Sequence, residues 1–82
     1  MRIYLTKYAL TRGIIELEAV DVGDGMIRVD NKHGYAPTYH HGENRDWHRL
    51  AGAARLRAID MKRAKLKQLR AQIERIQALE FD

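Results

Sequence analysis

Eighty-two residues make one domain near the lower limit for independent folding, with little volume for a core. The chain has no cysteine and no serine, which removes disulfides, thiolate metal sites and the two commonest nucleophiles. Its net charge of +4 is uneven: residues 1–48 hold six Lys/Arg against seven Asp/Glu, and residues 49–82 hold nine against four, so the positive field belongs to the C-terminal part.

No stretch approaches the ~20 apolar residues of a membrane span, and the first eleven residues lack the apolar run of a signal peptide. A cytoplasmic protein with no membrane partner is expected. Arg2 to Tyr8 alternates and is rich in β-formers, which predicts a strand with Ile3 and Leu5 on one face and Tyr4, Thr6 and Tyr8 on the other. Leu10 to Gly13 turns the chain. Ile15, Leu17 and Ala19 then alternate with Glu16, Glu18 and Val20 in a second strand running to about Asp21. Gly23-Asp24-Gly25 is a hairpin turn, and Met26 to Val29 is a short third strand. Residues 30–46 are polar and read as loop, with Thr38 to His41 able to add an edge strand.

From Trp47 to about Glu80 the composition predicts one long helix. At 1.5 Å per residue it would run ~50 Å, longer than so small a globule is broad. Trp47, Leu50, Ala54, Ala58 and Met61 form a first stripe suited to covering the sheet. A second seam, Ile59, Leu66, Leu69, Ile73 and Ile76, is rotated from the first by about 80°. Lys62 interrupts it and Glu80 ends it, in the manner of a short heptad run that pairs with another helix. This predicts a homodimer or higher oligomer, a coiled-coil contact; the alternative is a helix that breaks near residues 60–65 and folds back on one core. Ala64, Ala71 and Ala78 line the opposite side, where helix propensity alone explains them. The fold class read from the chain is α+β: a small antiparallel meander of three or four strands (1–30), a polar loop (31–46) and a long basic amphipathic helix (47–80), forming a single domain over residues 1–82.

Candidate chemistry is sparse. His33, His40, His41 and His48, with Glu43 and Asp46 nearby, invite a metal reading, but adjacent histidines diverge on a strand and no helical H-x-x-x-H pair occurs. Solvated loop histidines are the better explanation, with His48 a helix-start or packing residue, so no metal and no cofactor are expected. Glu16 and Glu18 share a strand face, which fits an ordinary wet surface better than a carboxylate pair. No catalytic residues are expected. Arg55, Lys62, Arg63, Lys65, Lys67 and Arg70 could neutralise phosphates, but they surround the helix instead of forming one stripe, so a solvated helix surface or a docking face for an acidic protein fits them equally well. Tyr4, Tyr8, Glu16 and Glu18 make a second candidate surface on the sheet.

Lys7-Tyr8-Ala9-Leu10 followed by Gly13-Ile14, Asp46-Trp47-His48, Met61-Lys62 and the stretch from Lys67 to Phe81 together resemble a family of small proteins of tailed phages and prophages. The family tends to open its helix with Thr and acidic residues, a capping pattern. Here Arg49-Leu50-Ala51-Gly52 stands in that place, which leaves capping to Asn44 or Asp46. The resemblance implies no catalytic residues. It implies a bacterial host cell as the setting and a binding role toward a host protein or complex, as in inhibitors of bacterial defence, anti-CRISPR proteins among them. A nucleic-acid-binding protein is the second reading and a structural oligomerisation module the third.

Overall fold

The computed structural model describes residues 1–30, 34 and 36–81. It has two small antiparallel sheets followed by one long helix, an α+β architecture. The first sheet is ordered β2-β1-β6, from Ile15–Glu18, Arg2–Leu5 and Trp47–His48; the second is β3-β4-β5, from Val20–Gly23, Met26–Val29 and Thr38–His40. Between β1 and β2 the chain makes one helical turn, α1 (Ala9–Arg12), and it ends in α2 (Ala51–Gln77).

Ile3 and Leu5 point inward from β1, facing Leu17 and Ile15 of β2, while Arg2 and Tyr4 face Glu18 and Glu16 on the wet side. The alternation that identifies this strand stops at Leu5. Thr6 is fully buried, and its backbone N–H donates to Asp46 O (2.8 Å). Tyr8 therefore lies on no strand face; it is the residue before α1.

The expected second strand is two strands. Met1 exchanges backbone bonds with buried Ala19, its nitrogen donating to Ala19 O (2.6 Å) and Ala19 N donating back to Met1 O (2.8 Å). Beyond Ala19 the chain leaves the first sheet and pairs with β4 in the second, so a single alternating run serves both sheets. The Asp24-Gly25 turn joins β3 to β4 as a two-residue hairpin, with φ of 56° and 73° at its central residues. Positive φ at both is the I′ geometry that matches strand twist.

Trp47 and His48 are not helical. The chain from Gly42 to Asp46 forms a tight turn, with Arg45 N and Asp46 N both donating to Gly42 O, and delivers these two residues to the free edge of β1. The core is Ile3, Leu5, Ala19, Ile27 and Trp47, with Ile15, Leu17 and Val29 packed around it. Trp47 also joins the sheets, since its Nε1–H donates to Gly25 O (3.0 Å) in the hairpin of the second.

The helix starts at Ala51, four residues later than the composition suggests. Leu50 is its N-cap and offers no side-chain bond; Asn44 and Asp46, the expected caps, belong to the preceding turn. Trp47 and Leu50 consequently drop out of the first helical stripe, and Leu50 is exposed. Ala54 carries that stripe, fully buried against the body, with Ala58 and Met61 half-buried beside it. The helix ends at Gln77, before Glu80.

Candidate functional site

Twenty-seven helical residues span about 40 Å, and only the first three turns touch α1, β1 and β6. From Lys62 onward every described residue is exposed. The molecule measures 59 × 28 × 21 Å, with a radius of gyration of 17.4 Å where a compact chain of this length has about 12 Å. The helix neither breaks near residues 60–65 nor folds back.

The helix carries two features on different sides, both concentrated on its free half. The first is apolar: Leu66, Leu69, Ile73 and Ile76 lie in one row, from 39% exposed at Leu69 to 59% at Ile76. Beyond the helix end, Leu79 and Phe81 are exposed as well. Ile59, at the head of the row, has partial cover. With Ala9, Leu10, Arg55, Ala58 and Lys62 it lines a cleft of about 350 Å³ between α1 and α2.

The second feature is charge. Arg55, Arg57, Lys62, Arg63, Lys65, Lys67, Arg70 and Arg75 form no ion pair among the described residues; every salt bridge found there lies on the body, at Met1, Arg2, Arg28, Arg45 or Arg49. Only Asp60 and Glu74 are acidic within this stretch. Arg63, Lys67 and Arg70 fall within about 60° of one another around the axis, beside the apolar row.

The candidate surface on the sheet is divided. Tyr4, Glu16 and Glu18 share one face, but Arg2 binds both carboxylates, at 2.9 Å to Glu16 and 3.0 Å to Glu18. Those bonds raise the Arg2 pKa above its ordinary value, and with the Met1 ammonium 3.6 Å from Glu18 they leave the face nearly neutral. Tyr8 stands apart at the start of α1, with Lys7 and Arg12 at 5.7 and 5.5 Å from its ring centre.

The histidines separate too. His33 lies outside the described residues. His41 is exposed, but His40 and His48 are buried and not solvated loop groups. Thr6 Oγ1 donates its single proton to Arg45 O (2.8 Å), so the 3.1 Å contact with His48 Nε2 has the imidazole as donor. His48 Nδ1 is then the unprotonated nitrogen, buried without a hydrogen-bond partner among the described residues. Burial lowers the pKa of both His40 and His48; Lys7 adds to the effect at His40 and Arg57 at His48. Both rings are packing groups held neutral. No group of three His, Cys, Asp or Glu side chains among the described residues is arranged to hold a metal ion.

Arg49 is the residue that sequence reasoning missed. It reads as a helix-opening base, but it donates to Asp21 (2.7 Å) and Glu43 and reaches the Met1 sulfur at 3.3 Å. Glu43 is only six residues away, but Asp21 is 28 residues away and is brought close only by the packing of the two sheets. No helix among the described residues is long and apolar enough to cross a membrane. Comparisons with protein-family models, curated proteins and solved structures find no match to this chain.

Proposed function

We propose that this chain is a non-catalytic binding protein that modulates a host macromolecule, with the projecting half of α2 as its docking element. The observation that carries the reading is the set of six cations, Lys62, Arg63, Lys65, Lys67, Arg70 and Arg75, without ion-pair partners among the described residues, on the part of the rod that stands clear of the body. A solvated charge costs little, but like charges crowded around a projecting helix repel one another and gain free energy when an acidic surface neutralises them. The complement is an acidic face of a host protein or complex. The resemblance to small phage proteins supports a bacterial cell as the setting of the encounter and an anti-defence role as its consequence.

Two clefts among the described residues support binding over chemistry. One is the apolar cleft at Ile59, and the other, of about 240 Å³, is lined by Met1, Glu18, Ala19, Val20, Arg28 and Asp30. Neither brings a nucleophile and a base together. The test is capture from bacterial lysate by the wild type and by the variant Arg63→Glu/Lys67→Glu/Arg70→Glu. A discrete partner held by the first and lost by the second is expected; equal capture by both removes the helix from the interface.

Nucleic acid is the second reading, favoured by the close grouping of Arg63, Lys67 and Arg70, which can follow a phosphate backbone. It requires a shift of labelled DNA or RNA that weakens steeply between about 50 and 200 mM salt. The helix offers no exposed aromatic for bases to stack on, and Trp47 is fully buried, so binding of this kind would read phosphates alone.

A further inference from the structure

The seam on α2 is preceded by a charged residue on the helix, Lys62, and followed by one just past the helix end, Glu80. Lys62, Leu66, Leu69, Ile73, Ile76 and Glu80 follow one another at steps of four, three, four, three and four; Lys62 occupies the heptad position just before the four apolar ones, and Glu80 lies three residues past the helix end at Gln77. We propose that two copies of this chain pair antiparallel through this seam, with Lys62 opposite the partner's Glu80. In this pairing the partner's Phe81 fills the cleft between α1 and α2.

One register satisfies all these positions at once. Set antiparallel, Leu66 meets the partner's Ile76 and Leu69 meets the partner's Ile73. Lys62 then arrives at the C-terminal end of the partner's α2, where unpaired carbonyls carry negative partial charge and Glu80 follows. A parallel pair in register fails at every charged position. It stacks Lys62 on Lys62 and Glu80 on Glu80, and it sets Lys65 beside the partner's Arg70. The antiparallel register has one like-charge contact, Arg70 with Arg70 at the two-fold axis, and Glu74 lies one turn along each helix to offset it.

The cleft supplies the second part of the evidence. Four apolar residues per helix are little more than one heptad, too short to hold two helices together unaided. At each end of the seam, however, the cleft lined by Ala9, Leu10, Ala58 and Ile59 stands open, with Arg55 and Lys62 at its rim. Its ~350 Å³ exceeds the space of roughly 150 Å³ that accommodates a benzene ring. The same register brings residues 79–81 of the partner to this level. They present Phe81, 89% exposed in the single chain, preceded by the acidic Glu80. An apolar hole between two cations thus meets an aromatic side chain beside an anion, twice per dimer. The pairing also collects Arg63, Lys67 and Arg70 of both copies on one side of the helix pair, though it does not depend on what those cations bind.

The absence of native cysteine makes the register directly testable. Leu66→Cys/Ile76→Cys is expected to form a covalent dimer on mild oxidation, whereas neither single substitution does, because only the mixed pair comes within disulfide reach. In sedimentation the wild type is expected to dimerise, and Phe81→Ser to raise the dissociation constant at least tenfold with unchanged helical circular dichroism. Lys62→Glu should weaken the dimer and Lys62→Glu/Glu80→Lys should restore it. A protein monomeric up to about 100 µM, or Leu66→Cys alone cross-linking as readily as the double variant, overturns the pairing. A Phe81→Ser dimer as tight as the wild type overturns the seating of Phe81 in the cleft.

Discussion

The guanidinium carbon of Arg49 lies 5.3 Å from the centre of the Trp47 ring, and the same fork binds Asp21 of β3 and Glu43 of the turn before β6. One side chain therefore spans both sheets over the residue that anchors the core. Its planar group can stack and bind two carboxylates together, which an ammonium cannot. Arg49→Lys should lower the thermal midpoint by a few degrees despite keeping the charge. It should also release the Asp21 carboxyl, now held below its ordinary value first by the Arg49 hydrogen bond and then by the Gly23 N–H. An NMR titration in which Asp21 does not move upward in Arg49→Lys would refute this account.

Trp47 is the only tryptophan and is fully buried, so its fluorescence reports folding directly. Trp47→Phe keeps most of the apolar contact but leaves the Gly25 carbonyl without its Nε1–H donor. A loss of about 1–3 kcal/mol is expected from urea titration. Truncation to alanine removes about 3–5 kcal/mol, a large share of what a domain of this size has.

The paired histidine and threonine predict an acid weakness. His40 and His48 have folded pKa values depressed below 6.5, so the unfolded chain binds more protons than the folded one just below that value. Their contribution to stability is complete above pH 6.5 and is lost as pH falls through the lower folded values. Urea midpoints should fall between pH 7.5 and pH 5.5, and fall less in His40→Gln/His48→Gln. Thr6→Val strips the buried acceptor of His48 Nε2–H and the donor to Arg45 O together. It should cost about 2 kcal/mol at pH 7.5, and a neutral result would show that the hydroxyl bonds are dispensable.

The two ends of α2 should answer mutation in opposite ways. Ala54 is fully buried where the helix crosses the body, so Ala54→Leu overpacks that contact at about 1–3 kcal/mol. Leu69→Ala, on the free half, should change the stability of the dilute protein by less than about 0.5 kcal/mol. Comparable losses from the two substitutions would mean that the free half packs on the body in solution.

Gly25 closes the hairpin with φ of 73°. Gly25→Ala puts a side chain into the left-handed region and should cost about 1 kcal/mol. Asp24→Asn, which tolerates the same region, should be close to neutral. Thermal unfolding of the two variants checks the pair, and equal effects would argue against the I′ turn.

What the sequence determined by itself is local. Strand β4 at Met26 to Val29, the turn before it and the edge strand at Thr38 follow from alternation and turn chemistry. The exposed row from Leu66 to Ile76 follows from 100° steps along a propensity-driven helix, as does the Ala54, Ala58 and Met61 part of the first stripe, whereas Trp47 and Leu50 precede the helix. The tertiary structure decided whatever depends on partners distant in the chain. Trp47 and His48 sit beside a strong helix former, yet the free edge of β1 offers backbone bonds and a place in the core, and that nonlocal gain outweighs propensity. Ala19 gives no sign of a break, because the same alternation satisfies either sheet; only the Met1 bonds fix where the strand changes partners. Thr6 and Arg49 look like surface residues for the same reason: Arg45 and His48, which bind Thr6, and Asp21, which binds Arg49, lie 28 to 42 residues away and meet them only when the two sheets close on Trp47.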